Sequence, residues 1–474
     1  MRSNRRARPG ASAAEPHPQS HFSHGHASAD QEELLKTHKF QDARELAFHV
    51  LSQVSRPSAR MRNLSATELL SRAIEASDLS RHDEALATEL VYSAVRRRLT
   101  LDWVIERFSG VEIKRIEPTL LQILRLGVLQ LLYIRSVPEY AAVNESVELA
   151  RAALGTKAAG FANAVLRKVP SDVSAIPFPP REKDPVAHLS IVHSHPAWLI
   201  RRWVDRFGEK EAESICLANN APPPITGRVN TLKTTRDELA AKLAREGVEA
   251  VPLEQEQMFE IVNSPKRLSQ LVSFREGLFY LQDVSATIPA RMLAPRPGQK
   301  VLDLCSAPGG KATHIAELMG NRGLIVACDI DAGKMSLLRD NIQRLGTIIV
   351  RPLLAQGTQI ESVLKPGFDR VLIDAPCSNT GVLRRRVEAR WRLNERDLKA
   401  LRQLQLRLLS SGCRVLKKGG LLVYSTCSIE REENENVVRA FLKGETDFVL
   451  LEERNLFPEE KAGDGGYVAR LGKF

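Results

Sequence analysis

Two cysteines, Cys377 and Cys427, each follow an apolar stretch that predicts a buried β-strand. They lie in the sequences DAPCS, residues 374–378, and STCS, residues 425–428. Because ligands of parallel sheets bind beyond the carboxyl ends of the strands, we expect both thiols at that end of one sheet. A thiolate there could add to carbon 6 of a cytosine, which would make carbon 5 nucleophilic enough to accept a methyl group. Asp374 could stabilise such an adduct by giving a proton or a hydrogen bond near N3.

Free cysteines more often fill a core than react, so either thiol alone would favour a structural role. The pair, placed beside an aspartate and near a glycine-rich turn, favours catalysis instead. The residues leave open which thiol attacks and whether the second acts as a base or helps to release the product. Lys311 and the arginines at 384–386 could supply the electropositive setting that a thiolate needs. The remaining cysteines lack this context and are not expected to be catalytic: Cys216, Cys305, Cys328 and Cys413.

A glycine-rich turn follows another predicted strand, in the sequence VLDLCSAPGGK at residues 301–311. A helical pattern comes next, and a second buried strand over residues 324–328 leads to Asp329. Glycines let a ligand approach the backbone, the helix N-terminus offers free N–H groups, and an acid in this position suits ribose hydroxyls. The G-x-G-x-x-G fingerprint of dinucleotide sites is absent, so an adenosine without phosphates is favoured over a pyrophosphate.

Together the three motifs resemble those of the Sun (Fmu, Nol–Nop–Sun) family of RNA 5-methylcytosine methyltransferases. The helical region before them is similar to the NusB-like RNA-binding domain, a pairing typical of the bacterial RsmB/Sun subgroup that methylates small-subunit (16S) ribosomal RNA. The resemblance implies S-adenosylmethionine as the cofactor, with Asp329 on its ribose and Asp374 near its methionine part and the target base. It also implies that Cys427 is the nucleophile and that Cys377 assists release of the product. The cofactor pocket would be lined by Cys305, Ser306, Ala307, Pro308, Gly309, Gly310 and Lys311.

Two stretches depart from the pattern of that family. The family usually has an acid that contacts the adenine after the strand equivalent to 348–354, whereas this chain has AQG at 355–357. Gln356 could still accept a hydrogen bond from the adenine amino group through its carbonyl, so we expect weaker or altered binding. The family's His-Pro-Asp after the first cysteine is replaced by Arg386-Val387-Glu388, and the added arginine should favour RNA phosphate.

The sequence patterns around these residues predict a multidomain protein. A basic tail over residues 1–34 has too few large apolar residues to fold and is predicted to be disordered. Apolar residues at helical spacing over 35–170 predict an all-α NusB-like domain, and the proline-rich stretch 171–184 predicts a linker. Residues 185–290 predict a small α+β RNA-binding subdomain. From 291 to 474, strands alternating with helices predict a Rossmann-like α/β methyltransferase domain with a mostly parallel sheet.

The composition of the chain favours some classes of function and disfavours others. The net charge of +11 favours a polyanionic partner, here RNA. The chain has no apolar run of membrane-spanning length and no secretory signal, and its cysteines form no C-x-x-C pairs. We therefore expect a cytoplasmic monomer that binds neither a membrane nor a metal. The same chemistry on transfer RNA and a non-catalytic ribosome-assembly role stay open, whereas the missing phosphate fingerprint disfavours a nicotinamide oxidoreductase.

Overall fold

The computed structural model describes residues 40, 42–55, 65–459 and 463–474. The predicted fold class is confirmed: a helical N-terminal part is followed by a small α+β part and by a C-terminal part built on a mostly parallel sheet. The predicted basic tail over 1–34 lies outside the described residues, and the boundaries of the domains stay predictions. Within the described ranges, no helix combines the length and apolar character needed to pass through a bilayer.

The N-terminal part is built from helices whose apolar faces meet in one core. Gly127 lies in the middle of one of them, where an added Cβ would come within 2.8 Å of the Leu166 methyl carbons. Glycine therefore allows these two helices to pack closely. The helices are α1 (Ala43–Ser55), α2 (Ala66–Glu75), α3 (Arg81–Arg96), α4 (Arg98–Ser109), α5 (Pro118–Tyr133), α6 (Glu139–Leu154) and α7 (Thr156–Leu166).

The α+β part begins with three helices and continues into a four-stranded antiparallel sheet of order β2-β3-β1-β4. One face of this sheet packs on a helix through Val229, Leu239 and Phe259. The elements are α8 (Pro185–His193), α9 (Ala197–Phe207), α10 (Glu209–Asn220), β1 (Ile225–Val229), α11 (Arg236–Arg245), β2 (Glu249–Pro252), β3 (Met258–Asn263), α12 (Val272–Arg275) and β4 (Phe279–Leu281).

The C-terminal part contains a seven-stranded sheet of order β10-β11-β9-β8-β5-β6-β7. Strands β5 to β9 are parallel, and β11 and β10 pair antiparallel at one side. The elements are α13 (Ile288–Met292), β5 (Lys300–Leu304), α14 (Gly310–Leu318), β6 (Leu324–Asp329), α15 (Ala332–Leu345), β7 (Val350–Leu354), β8 (Phe368–Asp374), α16 (Ala389–Arg392), α17 (Glu395–Val415), β9 (Leu416–Thr426), α18 (Glu435–Gly444), β10 (Phe448–Leu456) and β11 (Gly466–Lys473).

The strand order decides where a ligand can bind. The chain places β6 and β7 on one side of β5 and then returns to place β8 and β9 on the other side. The order therefore reverses between β5 and β8, which opens a crevice at the carboxyl ends of these strands. The glycine-rich turn follows β5, and Asp374 ends β8, so both flank this crevice.

A buried ion pair joins the α+β part to the C-terminal part. Arg228 of β1 and Glu317 of α14 have fully buried side chains, and their charged atoms are 2.8 Å apart. The Arg228 guanidinium also donates to the Gly310 carbonyl at 3.0 Å and to the Thr313 hydroxyl at 3.2 Å. Arg228 thus holds the first turn of α14, which directly follows the glycine-rich turn.

Candidate active site

The glycine-rich turn changes the direction of the chain sharply between β5 and α14. Cys305 has a φ of 61° and Gly309 a φ of 100°, so both residues adopt the left-handed region. A Cβ on Gly309 would collide with the Leu338 side chain of α15, which makes glycine necessary there. Because the first N–H groups of a helix have no partner within it, the start of α14 offers donors to a ligand in the crevice.

Asp329 ends β6 with its carboxylate fixed beside this turn. One oxygen accepts a hydrogen bond from the Ala307 N–H and the other accepts one from the Asp331 N–H, both at 3.0 Å. An ionised carboxylate has four acceptor positions, so two bonds leave capacity for the hydroxyls of a ligand. The side chain is half-buried at the carboxyl end of the strand, which is where the sequence predicted a ribose acceptor.

Lys311 and Asp374 form an ion pair across the crevice. The Lys311 Nζ lies 2.6 Å from Oδ2 of Asp374, and the Ser425 hydroxyl donates to Oδ1 at 2.8 Å. Burial alone would lower the pKa of Lys311, but the Asp374 carboxylate outweighs it and the pKa is raised. Lys311 is therefore a firmly held ammonium group between the glycine-rich turn and the end of β8.

Asp303 of β5 is a buried carboxyl behind the turn. Its Oδ2 accepts a hydrogen bond from the Ser306 hydroxyl at 2.6 Å, while its Oδ1 has no partner among the described residues. Burial raises the pKa of Asp303 to about 7, against the opposing effect of the Ser306 hydrogen bond. This group therefore titrates near neutral pH.

The structure brings Cys377 and Cys427 together as a thiol pair, with 3.1 Å between the two Sγ atoms. The Cys427 thiol also donates to Oδ1 of Asn379 at 3.2 Å. The hydrogen bond with Cys427 and burial raise the pKa of Cys377 well above its ordinary value. Cys377 is therefore a neutral thiol in the free protein. Cys427 lies near enough to Lys311 to contribute electrostatically to the raised pKa of that ammonium.

Buried polar contacts tie the loops that carry the two thiols to each other. The Gly381 N–H donates to the Cys427 carbonyl at 3.0 Å. Glu433, which follows β9, accepts hydrogen bonds from the Ser378 N–H at 2.9 Å and the Ser428 hydroxyl at 2.6 Å. Burial raises the pKa of Glu433 against these hydrogen bonds. The separation of the thiols is thus set by contacts between their own loops.

Asn379 and Glu433 are two site residues that were not predicted from the sequence. Asn379 has a φ of 62°, and its amide donates to the Cys377 carbonyl at 2.9 Å while its oxygen accepts from Cys427. Asn is enriched in the left-handed region, so an Asn two residues after the cysteine was an available signal. Glu433 stands in a run of charged residues, EREE at 430–433, and nothing in that run marks it as buried.

One expectation about the arginines at 384–386 is wrong. Arg384 and Arg385 do not face the thiols as free charges, because both pair with Asp464, at 2.5 and 2.6 Å. Arg385 also pairs with Asp283 at 2.7 Å. Only Arg386 of the three is exposed. Lys311, which interacts electrostatically with Cys427, and Arg386, which lines a cleft with Cys377, are therefore the cations of this predicted set that stay candidates.

The side chains in the crevice fit a cationic nucleoside better than a phosphate. Asp303, buried behind the turn, interacts electrostatically with Asp329, with Asp374 and with the Lys311 ammonium. Surplus negative charge repels a phosphate and attracts a sulfonium. The unpartnered Oδ1 of Asp303 adds a buried polar atom that the protein leaves unsatisfied. S-adenosylmethionine fits this set of groups, since it carries a sulfonium, an amino group and ribose hydroxyls but no phosphate.

Gln356, which stands where the predicted family has an acid, follows β7 at the same end of the sheet, and its side chain is exposed. Its predicted contact with adenine stays a prediction. Among the residues that the structure describes, no group of three or more His, Cys, Asp or Glu side chains is arranged to hold a metal ion.

Three known protein families match successive segments of the chain, in the same order as the three parts of its fold. The NusB family matches residues 41–171, and an RsmF/B-like ferredoxin-like domain matches residues 195–261. The family described as 16S rRNA methyltransferase RsmB/F matches residues 290–471. The first of these matches confirms the predicted NusB-like domain, and the last confirms the predicted methyltransferase domain.

Curated relatives and solved structures extend the similarity over most of the chain. The probable ribosomal RNA small subunit methyltransferase B of Bacillus subtilis is 36% identical over 385 residues, which cover 80% of this chain and 84% of that protein. Its counterpart in Synechocystis is 34% identical over 452 residues, or 91% and 99% of the two chains. The crystal structure of PH0851 has a TM-score of 0.75, with 28% identity over 90% of this chain and 98% of the other.

A methyltransferase homolog from Pyrococcus horikoshii is 31% identical with a TM-score of 0.55, covering 61% of this chain and 99% of that one. Identity above 30% with relatives matched over most of their length, together with the three domain matches, establishes the family. The chain belongs to the RsmB/F family of 16S rRNA methyltransferases.

Proposed function

We propose that this enzyme methylates carbon 5 of a cytosine in small-subunit (16S) ribosomal RNA through a covalent bond between Cys427 and carbon 6. Its methyl donor is S-adenosylmethionine. The observation that carries the proposal is the thiol pair, with Sγ atoms 3.1 Å apart beside the Lys311–Asp374 ion pair. The names of the relatives supply the ribosomal substrate. We also infer that the protein works in the cytoplasm, where thiols stay reduced.

The first step is attack by the Cys427 sulfur on carbon 6 of the flipped-out cytosine. A bond from sulfur to carbon 6 forms, and electron density moves through the ring to N3, which takes up a proton. Asp374 accepts hydrogen bonds from Lys311 and Ser425, so a proton passes from the Lys311 ammonium through Asp374 to N3. The proton that the Cys427 thiol loses on attack restores the ammonium. Carbon 5 becomes nucleophilic as a result. Bound S-adenosylmethionine supplies the electrophilic methyl group.

The second thiol gains its role only after Cys427 has reacted. In the free protein the Cys427 thiol is the largest cause of the raised pKa of Cys377. Once the Cys427 sulfur is bonded to carbon, it no longer shares a proton or carries a charge beside Cys377. Cys377 can then lose its proton to solvent, and its thiolate removes the proton from carbon 5. The bond between sulfur and carbon 6 breaks, and the leaving Cys427 thiolate takes back the proton held on N3. This order of events is consistent with attack by Cys427 and release by Cys377, the roles that the family resemblance implies.

The test is transfer of labelled methyl groups to unmodified small-subunit ribosomal RNA by matched cysteine variants. We expect Cys427→Ala to lose transfer and to retain cofactor binding. Cys377→Ala should form the bond to RNA but fail to break it, so it should give a cofactor-dependent protein–RNA adduct on a denaturing gel. Cys413→Ala, which removes a buried thiol outside the crevice, is the control and should keep full activity.

Four results would contradict parts of this proposal. Normal turnover by Cys427→Ala would reject that residue as the nucleophile. Absence of an adduct with Cys377→Ala would reject its role in release. Label in transfer RNA but not in ribosomal RNA would keep the chemistry and change the substrate, whereas RNA binding without any transfer would favour an assembly role.

A further inference from the structure

A cleft of about 590 Å³ adjoins the thiol pair and is not used by the chemistry described above. Cys377, Ser378 and Asn379 form part of its wall. The loop that follows them, α16 and the first half of α17 form the rest. A volume of this size is typical of sites that hold a small organic molecule or a nucleotide. The cleft therefore offers space for a group bound next to the target base.

Exposed arginines border this cleft. Arg386, Arg392 and Arg407 all line it and are exposed. Neither Arg386 nor Arg407 has a salt bridge or a side-chain hydrogen bond within the described part of the chain. Two acids, Asp397 and Glu388, also line the cleft. The Asp397 carboxylate is occupied in capping α17, where it accepts a hydrogen bond from the Asn394 N–H at 2.9 Å. The border is thus positively charged and suited to RNA phosphate.

Glu388 lies where this cleft meets a second one of about 230 Å³, formed with α1, α3 and α5 of the N-terminal part. Glu388 is 7% exposed, and its Oε2 atom is buried without a hydrogen-bond partner. No salt bridge to it occurs among the described residues. Leaving a buried carboxylate oxygen unsatisfied is costly. A ligand that donates a hydrogen bond would remove that cost.

We propose that the larger cleft binds the nucleotide next to the target cytosine, with Arg386 and Arg407 on its phosphates and Glu388 accepting a hydrogen bond from the amino group of its base. This proposal rests on the proposed function, because RNA enters the cleft only if the target cytosine binds at the thiol pair. Unpaired RNA exposes the base edges that carry amino groups. Adenine, cytosine and guanine have such a group. Uracil offers only its N3–H, which lies between two carbonyl oxygens that repel a carboxylate. The cleft therefore selects against uracil at one neighbouring position.

The base preference is tested after the methylated cytosine has been mapped in the product of the wild-type enzyme. Transcripts then vary each of the two flanking nucleotides. At one of these positions, kcat/KM should be about tenfold higher for a base with an amino group than for uracil. Glu388→Met should reduce this preference to less than about threefold, and Glu388→Gln, which keeps a carbonyl acceptor, should lie between. Glu256→Gln, at an exposed position of the α+β part, is the control.

Folding of the variants does not obscure this test. Glu388→Met removes an unpaired buried carboxylate, so its melting temperature should equal or exceed that of the wild type. A preference that survives in Glu388→Met would overturn the role of Glu388. Equal use of uracil at both flanking positions by the wild type would overturn it as well.

The phosphate contacts are tested by the salt dependence of RNA binding without cofactor. Arg386→Ala and Arg407→Ala should each lower the slope of log K against log salt concentration by about 0.7, the value for one contact to single-stranded RNA. Arg322→Ala should leave the slope unchanged, since Arg322 is exposed between α14 and β6 at the opposite end of the parallel strands. Unchanged slopes for both cleft variants would overturn the proposal. A wild-type enzyme that transfers no methyl group would instead overturn the proposed function.

Discussion

Removal of the Arg228 guanidinium tests how the α+β part supports the glycine-rich turn. In Arg228→Ala, the fully buried Glu317 carboxylate loses its partner at 2.8 Å, and the Gly310 carbonyl and Thr313 hydroxyl lose a donor. Breaking a buried ion pair from one side costs about 3–5 kcal/mol, because the remaining charge stays buried. We therefore expect the free energy of opening that exposes α14 to fall by that amount.

The pH dependence of this loss has a definite sign. Burial already raises the pKa of Glu317, and Arg228 opposes that rise. Without Arg228 the pKa in the folded state rises further, while the unfolded chain keeps the ordinary value. The folded state then holds a proton that the unfolded state releases, so the destabilisation grows as the pH rises above the ordinary range of a glutamate. It should be smaller near pH 5 than near pH 8.

The assay is hydrogen exchange of the α14 amides, which reports the opening of this helix rather than of the whole multidomain chain. The double variant Arg228→Met, Glu317→Leu removes both charges and should be within about 1–2 kcal/mol of the wild type. A loss below about 1 kcal/mol for Arg228→Ala, or an equal loss at both pH values, would refute the reasoning.

Three further predictions concern the site itself. Asn379→Ala should lower kcat about tenfold, because it removes the contact to the Cys427 thiol; Asn379→Gly restores the left-handed backbone but not the contact, so full activity of the glycine variant would contradict this role. The pKa of Asp303 is raised to about 7 in the folded state, so ionisation of Asp303 destabilises the fold increasingly as the pH rises from about 4 to 7, by on the order of 4 kcal/mol. Urea unfolding of Asp303→Asn should therefore show a flatter dependence of stability on pH than the wild type and the exposed-site variant Asp340→Asn. Identical pH profiles would contradict this prediction. A Cβ at Gly381 would collide with the Gly465 carbonyl and would lie 3.0 Å from the Cys427 carbonyl oxygen. Gly381→Ala should therefore push the loops of the two thiols apart and reduce methyl transfer by more than tenfold. A crystal structure with both loops in place, or unreduced transfer, would contradict that.

The parallel strands could be predicted because buried parallel strands are nearly continuous apolar runs. The predicted strands 301–304 and 324–328 correspond to β5, Lys300–Leu304, and β6, Leu324–Asp329. The predicted position of Cys377 and Cys427 at strand ends followed from the same runs, and the structure brings these thiols together. Their chemical roles stay predictions.

The antiparallel strands β10 and β11 were not predicted. Strand β10 is at the side of the sheet, and its apolar run of residues 448–451 is followed by Glu452, Glu453 and Arg454. Apolar residues thus cover only about half of a strand that is largely exposed. The pairing of Arg384 and Arg385 with Asp464 joins loops about 80 residues apart. Glu433 likewise reaches Ser378 across 55 residues. Such contacts depend on tertiary structure, which local sequence patterns do not record.

The most direct test of the central claim is transfer of labelled methyl from S-adenosylmethionine to unmodified small-subunit ribosomal RNA, with transfer RNA and the Cys427→Ala protein run beside it. We expect label only in the ribosomal RNA, as 5-methylcytosine, and only when Cys427 is present. Label at another atom of the base, or equal transfer by Cys427→Ala, would contradict it.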